Sequence, residues 1–383
     1  DGMPINMRTS GHGQGYTDIN FLIEELVERV EFIKGPIDVT IGDFSSAGAA
    51  RMQTARNLDK GFLKVSGGEY GFLRLVGADT LELDDSALLI GAESRRYDGP
   101  WDDINEDLKA NKGLVRYTAV TGAGDEWNVA LMGYDSRWNA ADQIPRRAVR
   151  EGLISDLGSL DETVGGDTSR YSLSGSWARE GVDSRWQANA YAISYDLNLL
   201  SNFTYFLDDP DNGDQFQQID DRNIYGGDVN YQFTRQLAGR EMNHKLGTDF
   251  RYDDISDVAL NRTVNGNFAS TVRQDRVNQG SVALFYQNEY FWTDRLRSVA
   301  GVRADYFDFD VDSNLPANSG NDDDTQVSPK LSLIYAWSSA TELYLNGAYG
   351  MHSNDARGVT ITVDPVTGDP VDQVDPLVKS RAA

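Results

Sequence analysis

The residues best suited to acid–base or metal chemistry in this chain are three histidines, His12, His244 and His352, and their spacing serves neither purpose. None stands at metal-ligand spacing from another histidine. Cysteine is absent, which excludes thiolate metal sites, cysteine nucleophiles and disulfides. His352, Ser353 and Asp355 supply the residue types of a triad, but no nucleophile elbow surrounds the serine. Asp208–Asp214 and Asn321–Asp324 resemble halves of calcium loops. The first has no bidentate glutamate at the required place, and solvated loop carboxylates are the reading for both. Gly11-His12-Gly13-Gln14-Gly15 has the glycines of a dinucleotide loop without its full spacing or its strand-to-helix setting. No carboxylate pair can be assigned to catalysis from spacing alone. The expectation is no enzyme, no metal and no cofactor, which leaves binding and movement.

Composition narrows the partners. Lys plus Arg total 35 against 60 for Asp plus Glu, a formal charge of −25 over 383 residues. That charge opposes a nucleic-acid partner, which needs a basic face. Mean hydropathy is −0.49. No apolar run approaches the roughly 18–20 residues of a membrane helix; the longest surrounds Ala87–Ala92. A membrane β-barrel alternates lipid-facing and lumen-facing residues, so its mean hydropathy stays low and this test does not reach it.

The elements that must carry any binding site are strands. From about Gly61 onward, strand-like segments recur between turns and polar stretches. Thirteen are expected: Phe62–Glu69, Phe72–Ala78, Ala87–Tyr97, Gly113–Val120, Glu126–Arg137, Arg170–Ala178, Arg185–Tyr195, Ile224–Thr234, Lys245–Ile255, Val277–Phe291, Leu296–Phe309, Val327–Trp337 and Glu342–Met351. Along Val299–Phe307 one face carries Ala300, Val302, Ala304 and Tyr306, the other Gly301, Arg303 and Asp305. Period two puts these sets on opposite sides, one greasy and one wet. Many segments reach the ~9–11 residues of a tilted membrane strand. Aromatics gather near strand ends (Tyr286, Tyr290, Phe291, Trp292; Tyr335, Trp337; Tyr349), as in an interfacial girdle. Short turns such as Arg179–Asp183 alternate with long polar connections, expected at Asp196–Asn223, Asp257–Arg276 and Asp310–Gln326.

Residues Val27–Thr54 read VERVEFIKGPIDVTIGDFSSAGAARMQT. A short strand, Arg29–Lys34, ends at a Gly35-Pro36 turn, and a loop follows that closes in the small-residue run Ser45–Ala50. This stretch resembles the plug signature of TonB-dependent outer-membrane receptors. Asp1–Leu22 resembles the front of such a plug, and Tyr349–Gly358 and Val363–Val378 resemble a recurrent strand-and-loop segment of the same receptors. Glu24, where the family often has proline, and Ile37-Asp38 depart from the pattern.

The resemblance implies a mainly β fold: part of a transmembrane antiparallel β-barrel of the 22-stranded type, with a small N-terminal α+β plug segment. Residues 1–56 are then the C-terminal part of a plug domain and 57–383 the N-terminal part of the barrel. It implies that Arg29, Glu31 and Arg51 belong to a plug–barrel latch, with Glu289 and Glu342 as trial partners. It also implies that His12, Gln14, Tyr16 and His352 face the ligand. The implied partners are the TonB protein of the inner-membrane energising complex, a ferric siderophore or other small ligand, and outer-membrane lipid, in a Gram-negative cell. Both ends read as mid-domain sequence, so a segment of a larger protein is expected. The rival class is a soluble or surface-attached β-rich binding protein, calcium-dependent in one version; a passive porin would carry no plug.

Overall fold

The computed structural model describes residues 1–382. Residues 1–56 begin as an irregular stretch, make one 3-10 turn at Glu24–Leu26 and then form a hairpin of β1 (Val27–Lys34) and β2 (Gly48–Thr54). Its strands are antiparallel, with Glu31 opposite Arg51. The run Ser45–Ala50, expected as loop, is half strand. Its small side chains let the backbone come close to the sheet described next: the Ser45 amide donates to the Met351 carbonyl at 3.2 Å.

The remainder is one antiparallel sheet of fourteen strands: β3 (Phe62–Gly67), β4 (Leu73–Leu83), β5 (Ser86–Tyr97), β6 (Leu108–Val120), β7 (Asp125–Asn139), β8 (Gly165–Glu180), β9 (Ser184–Ser201), β10 (Phe216–Leu237), β11 (Arg240–Val264), β12 (Asn267–Phe291), β13 (Leu296–Ser313), β14 (Gly320–Ser338), β15 (Thr341–Ser353) and β16 (Leu377–Ala382). Each pairs with its neighbours in sequence, and β3 and β16 are the two edges. Two short helices, α1 (Arg146–Arg150) and α2 (Ala356–Val359), sit in the β7–β8 and β15–β16 connections. All thirteen expected barrel strands are present, most of them longer, and β16 makes a fourteenth.

One face of this sheet is greasy and open. Leu131, Leu173, Phe250, Leu284, Val302, Leu333 and Leu345 are all exposed. The opposite face carries Arg116, Arg222, Asp253, Gln279, Arg303 and Asp305, all buried. What buries them is residues 1–56. Glu25 bonds Arg74 on β4, Leu26 packs against Gly91 on β5, Arg8 bonds Ser281 on β12, and Ser46 receives a bond from Ser380 on β16. Laid flat, fourteen strands at ~4.8 Å would span about 60 Å, whereas a compact 56-residue piece has a radius of gyration of about 10 Å. One small segment reaches both ends of the sheet only because the sheet curls round it, wet face inward.

Apolar packing fixes the seat at two places. Phe21, Ile23 and Leu26 join Val76, Leu89, Leu114 and Met132 on one side. On the other, Met7 packs with Tyr195 and Leu197, and Tyr16 and Leu199 pack against that group. The long polar connections are corrected by the structure. Asp257–Arg276 is the paired continuation of β11 and β12, closed by a two-residue Asn265-Gly266 turn with both residues at positive φ. The Asp196–Asn223 connection shrinks to 202–215, and much of Asp310–Gln326 is strand. A 25-residue strand runs about 80 Å, well over the ~10 residues that cross a bilayer. Beyond the greasy band both faces are wet, so the alternation that marks a strand disappears from the sequence. Asn321–Asp324 accordingly lies in β14, not in a loop.

Candidate functional site

Period two places residues i and i+2 on one face of a strand, and the inward face uses this spacing repeatedly. Arg222 bonds Asp220, Arg251 bonds Asp253, Arg273 bonds Asp275, and Arg303 bonds Asp305, each within 2.6–2.8 Å. Arg357, in the first turn of α2, holds Asp355, the residue just ahead of that helix, at 2.7 Å in the same spacing. These arginines are buried with their counter-charges on the same wall, and most keep donors free for the inserted segment. Arg251 donates to the Asn6 carbonyl at 2.9 Å, Arg303 to the Val39 carbonyl at 3.2 Å, and Arg357 to the Ser10 carbonyl at 2.7 Å. Asp220 accepts from the Gly11 amide at 2.9 Å, and Lys330 donates to the Pro36 carbonyl. The wall therefore grips the backbone of residues 1–56 more than its side chains.

Carboxylates of residues 1–56 cross the same interface at three points. Asp43 accepts from Arg8 at 2.8 Å and from the Ser353 amide and hydroxyl at 2.7 Å. Glu25 accepts two hydrogen bonds from Arg74, both at 2.7 Å, and those bonds push its carboxyl down to about 2. Arg116 of β6 donates to Asp1 at 2.6 Å. In two of these three bridges the wall supplies the cation and the inner segment the anion.

The latch residues expected from sequence are placed differently. Arg29 pairs with Glu31 at 3.4 Å, both well exposed, and Arg51 pairs with Asp38 at 2.9 Å and with Thr40. All three contacts stay within residues 1–56. The trial partners Glu289 and Glu342 both bind Arg297 on the wall itself. Two charges that satisfy each other on one strand face need no partner across the interface. The crossing residues, Asp43, Glu25 and Arg8, carry no signal in sequence beyond their charge, because the side of an irregular segment that faces the wall has no period.

The four residues expected at the ligand lie together at the end of the sheet that bears the longer connections. His12 meets Gln218 of β10 at 2.9 Å and packs edge-on to Tyr16 with centroids 5.0 Å apart. Gln14 donates to the Ser353 carbonyl at 2.6 Å and lies 3.3 Å from the His352 ring nitrogen. Phe44 stacks on His352 at 6.3 Å and completes the group; the sequence reading did not include it. His244 lies far from this group, on the outer face. There it stacks on Phe233 at 4.5 Å and bonds Tyr286 at 2.7 Å, as part of an aromatic band that continues through Tyr231 to Trp186.

The polar groups near these histidines are engaged in structural hydrogen bonds. The Ser353 hydroxyl donates to Asp43, so His352 does not activate it. Among the described residues no three metal-ligating side chains converge. In the 202–215 connection Asp214 and Asp209 accept backbone amides of their own loop, a turn-capping use of carboxylates.

A greasy-backed sheet curled around a noncovalently held inner segment is the build of a membrane β-barrel with its bore occupied. The family model described as TonB dependent receptor-like, beta-barrel, matches residues 82–370, and the chain belongs to the TonB-dependent receptor family. Among solved structures it is similar to the ferric citrate transporter FecA (TM-score 0.74, 10% identity, covering 90% of this chain and 53% of that one). It is also similar to the ferric-catecholate import receptor Fiu of E. coli K12 in its open form (TM-score 0.69, 12% identity, 86% and 60%) and to the copper transporter OprC (0.69, 15%, 92% and 55%). At these identities the likeness is one of fold, and the chain spans between half and two thirds of each of these relatives. No curated protein sequence matches it.

Proposed function

We propose that this chain is part of an active importer that carries a scarce ligand, most readily a ferric siderophore, across the outer membrane of a Gram-negative bacterium. Residues 1–56 serve as the C-terminal part of a plug, and 57–383 form the N-terminal part of the barrel wall. The observation that carries this reading is the seating of residues 1–56 inside the curled sheet by hydrogen bonds, ion pairs and apolar packing alone. Such a seat is strong enough to close a lumen and can be released without breaking a covalent bond. The TonB protein of the inner-membrane complex would supply the pull, and the transport would be mechanical and conformational, with no catalysis. His12, Gln14, Tyr16 and His352, joined by Phe44, would meet the ligand. Arg29, Glu31 and Arg51, on the more open side of the hairpin, would engage wall strands that the longer relatives have in addition to these fourteen.

The exposed greasy face argues against the soluble binding-protein alternative, since a patch of this extent belongs in lipid or an interface. The test is uptake and growth on a panel of iron sources, comparing a deletion strain with the complemented one. Loss of growth on one ferric chelate is expected. Unchanged use of every iron source would exclude iron and redirect the assignment to another cargo.

A further inference from the structure

Among the inward arginines of β6 to β13 and α2, two groups separate by the element that neutralises them. Arg222, Arg251, Arg273, Arg303 and Arg357 have aspartates on the sheet or its connections. Arg116 and Arg170 have none. The three hydrogen bonds of Arg116, at 3.1, 2.6 and 2.5 Å, all go to residues 1–56, to Asp1 and Thr54. Arg170 is 5% exposed; it donates to Ser172, lies 3.9 Å over the Phe21 ring, and its second terminal nitrogen has no partner among the described residues. Both side chains stay charged, because a guanidinium does not lose its proton in a protein.

We propose that Arg116 and Arg170 form an anion-binding lane on the β6–β8 stretch of the wall, covered at rest by residues 1–56 and opened to an oxyanion-bearing cargo when that segment moves. The proposal rests on the plug reading given above. Register places the two arginines on one path: Arg170 lies opposite Tyr134, Tyr134 opposite Lys112, and Arg116 is two steps of the same face further along β6. The lateral offset across the two strand gaps is about 10 Å and the offset along β6 about 13 Å, so the two backbone positions lie roughly 16 Å apart. Lys112 lies between them, 2.9 Å from the Leu22 carbonyl and 3.3 Å from Glu93, so it lends a donor while Glu93 offsets its charge. Withdrawal of Asp1, Phe21 and Thr54 would leave two full positive charges with no wall carboxylate. Their forks match carboxylate or phenolate oxygens, and they would draw an anionic chelate past the opened segment.

The test uses the full-length receptor in planar bilayers under a potassium chloride gradient, with urea used to release the plug but not the barrel. The released wild type should favour chloride. Arg116→Gln with Arg170→Gln should shift the reversal potential toward potassium, whereas the charge-retaining R116K/R170K variant should keep the wild-type value. A double substitution R273Q/D275N removes a neutralised pair that makes no hydrogen bond to residues 1–56 and should leave the reversal potential unchanged. A channel that opens with the same selectivity in the R116Q/R170Q variant overturns the lane. A wild type that never conducts overturns the plug reading on which it rests.

Discussion

Asp43 is the residue on which the seat of the inner segment most depends. It is 11% exposed at its side chain, and it ties Arg8 of the segment's front to Ser353 at the end of β15. Removing one member of a buried pair strands the other charge, at a cost of roughly 3–5 kcal/mol. Asp43→Ala should therefore lower the urea concentration at which residues 1–56 become open to protease in the detergent-solubilised receptor. An unchanged midpoint would show that the wall grips the backbone strongly enough without it. Glu25 adds a pH dependence whose sign is fixed. Its carboxyl is held down to about 2 by Arg74, below its ordinary 4.5, so its contribution is complete above pH 4.5 and lost as the pH falls toward 2. Pepsin cleavage within residues 1–56 should rise across that window, and Glu25→Gln should shrink the rise. An identical rise in the variant would assign the acid sensitivity elsewhere.

At the scale of elements, the close approach of segment to wall depends on small residues in the strands. A Cβ on Gly91 of β5 would lie 2.6 Å from Leu26 Cδ1, with Ala78 Cβ at 3.4 Å. Gly91→Val should loosen the segment by about 1–3 kcal/mol, the usual cost of overpacking, and Leu26→Ala in the same chain should restore much of it. Gly113→Val, with nothing within 4 Å of its Cβ, is the matched control. Protease protection reads both, and equal behaviour of the two glycines would refute the argument. The sequence disclosed these elements unevenly. Strands inside the greasy band were legible because water and lipid impose period two, as along Val299–Phe307. The extensions of β11 and β12 were not, because Asp, Asn and Gln with water on both sides read as loop. The grouping of His12, Gln14, Tyr16 and His352 followed from resemblance, while Phe44 and Asp43 needed the packed structure. The pairing of Arg29 with Glu31 along one strand shows that charge type alone does not say which partner a residue takes.

For the whole molecule, the proposed import requires that residues 1–56 move relative to the sheet that holds them, and the chain offers a clean way to forbid it. These 383 residues contain no cysteine, so an introduced pair is the only thiol chemistry among them. Ser46, beside the hairpin, and Ser380 on β16 bring their hydroxyl oxygens to 2.8 Å. Serine and cysteine differ by one atom, and oxygens 2.8 Å apart hold the two Cβ atoms within about 5.6 Å, a small backbone adjustment from the ~3.8 Å of a disulfide. In S46C/S380C, oxidation should leave ligand binding at the cell surface intact and abolish import, and a membrane-permeant reductant should restore import. Each single cysteine variant should import under both conditions. A lock of this kind separates holding the ligand from passing it, because only the second needs the hairpin to leave its seat. Import at the wild-type rate with the bond intact would mean that the hairpin stays in place during transport, and the gating role of residues 1–56 as one moving unit would fall.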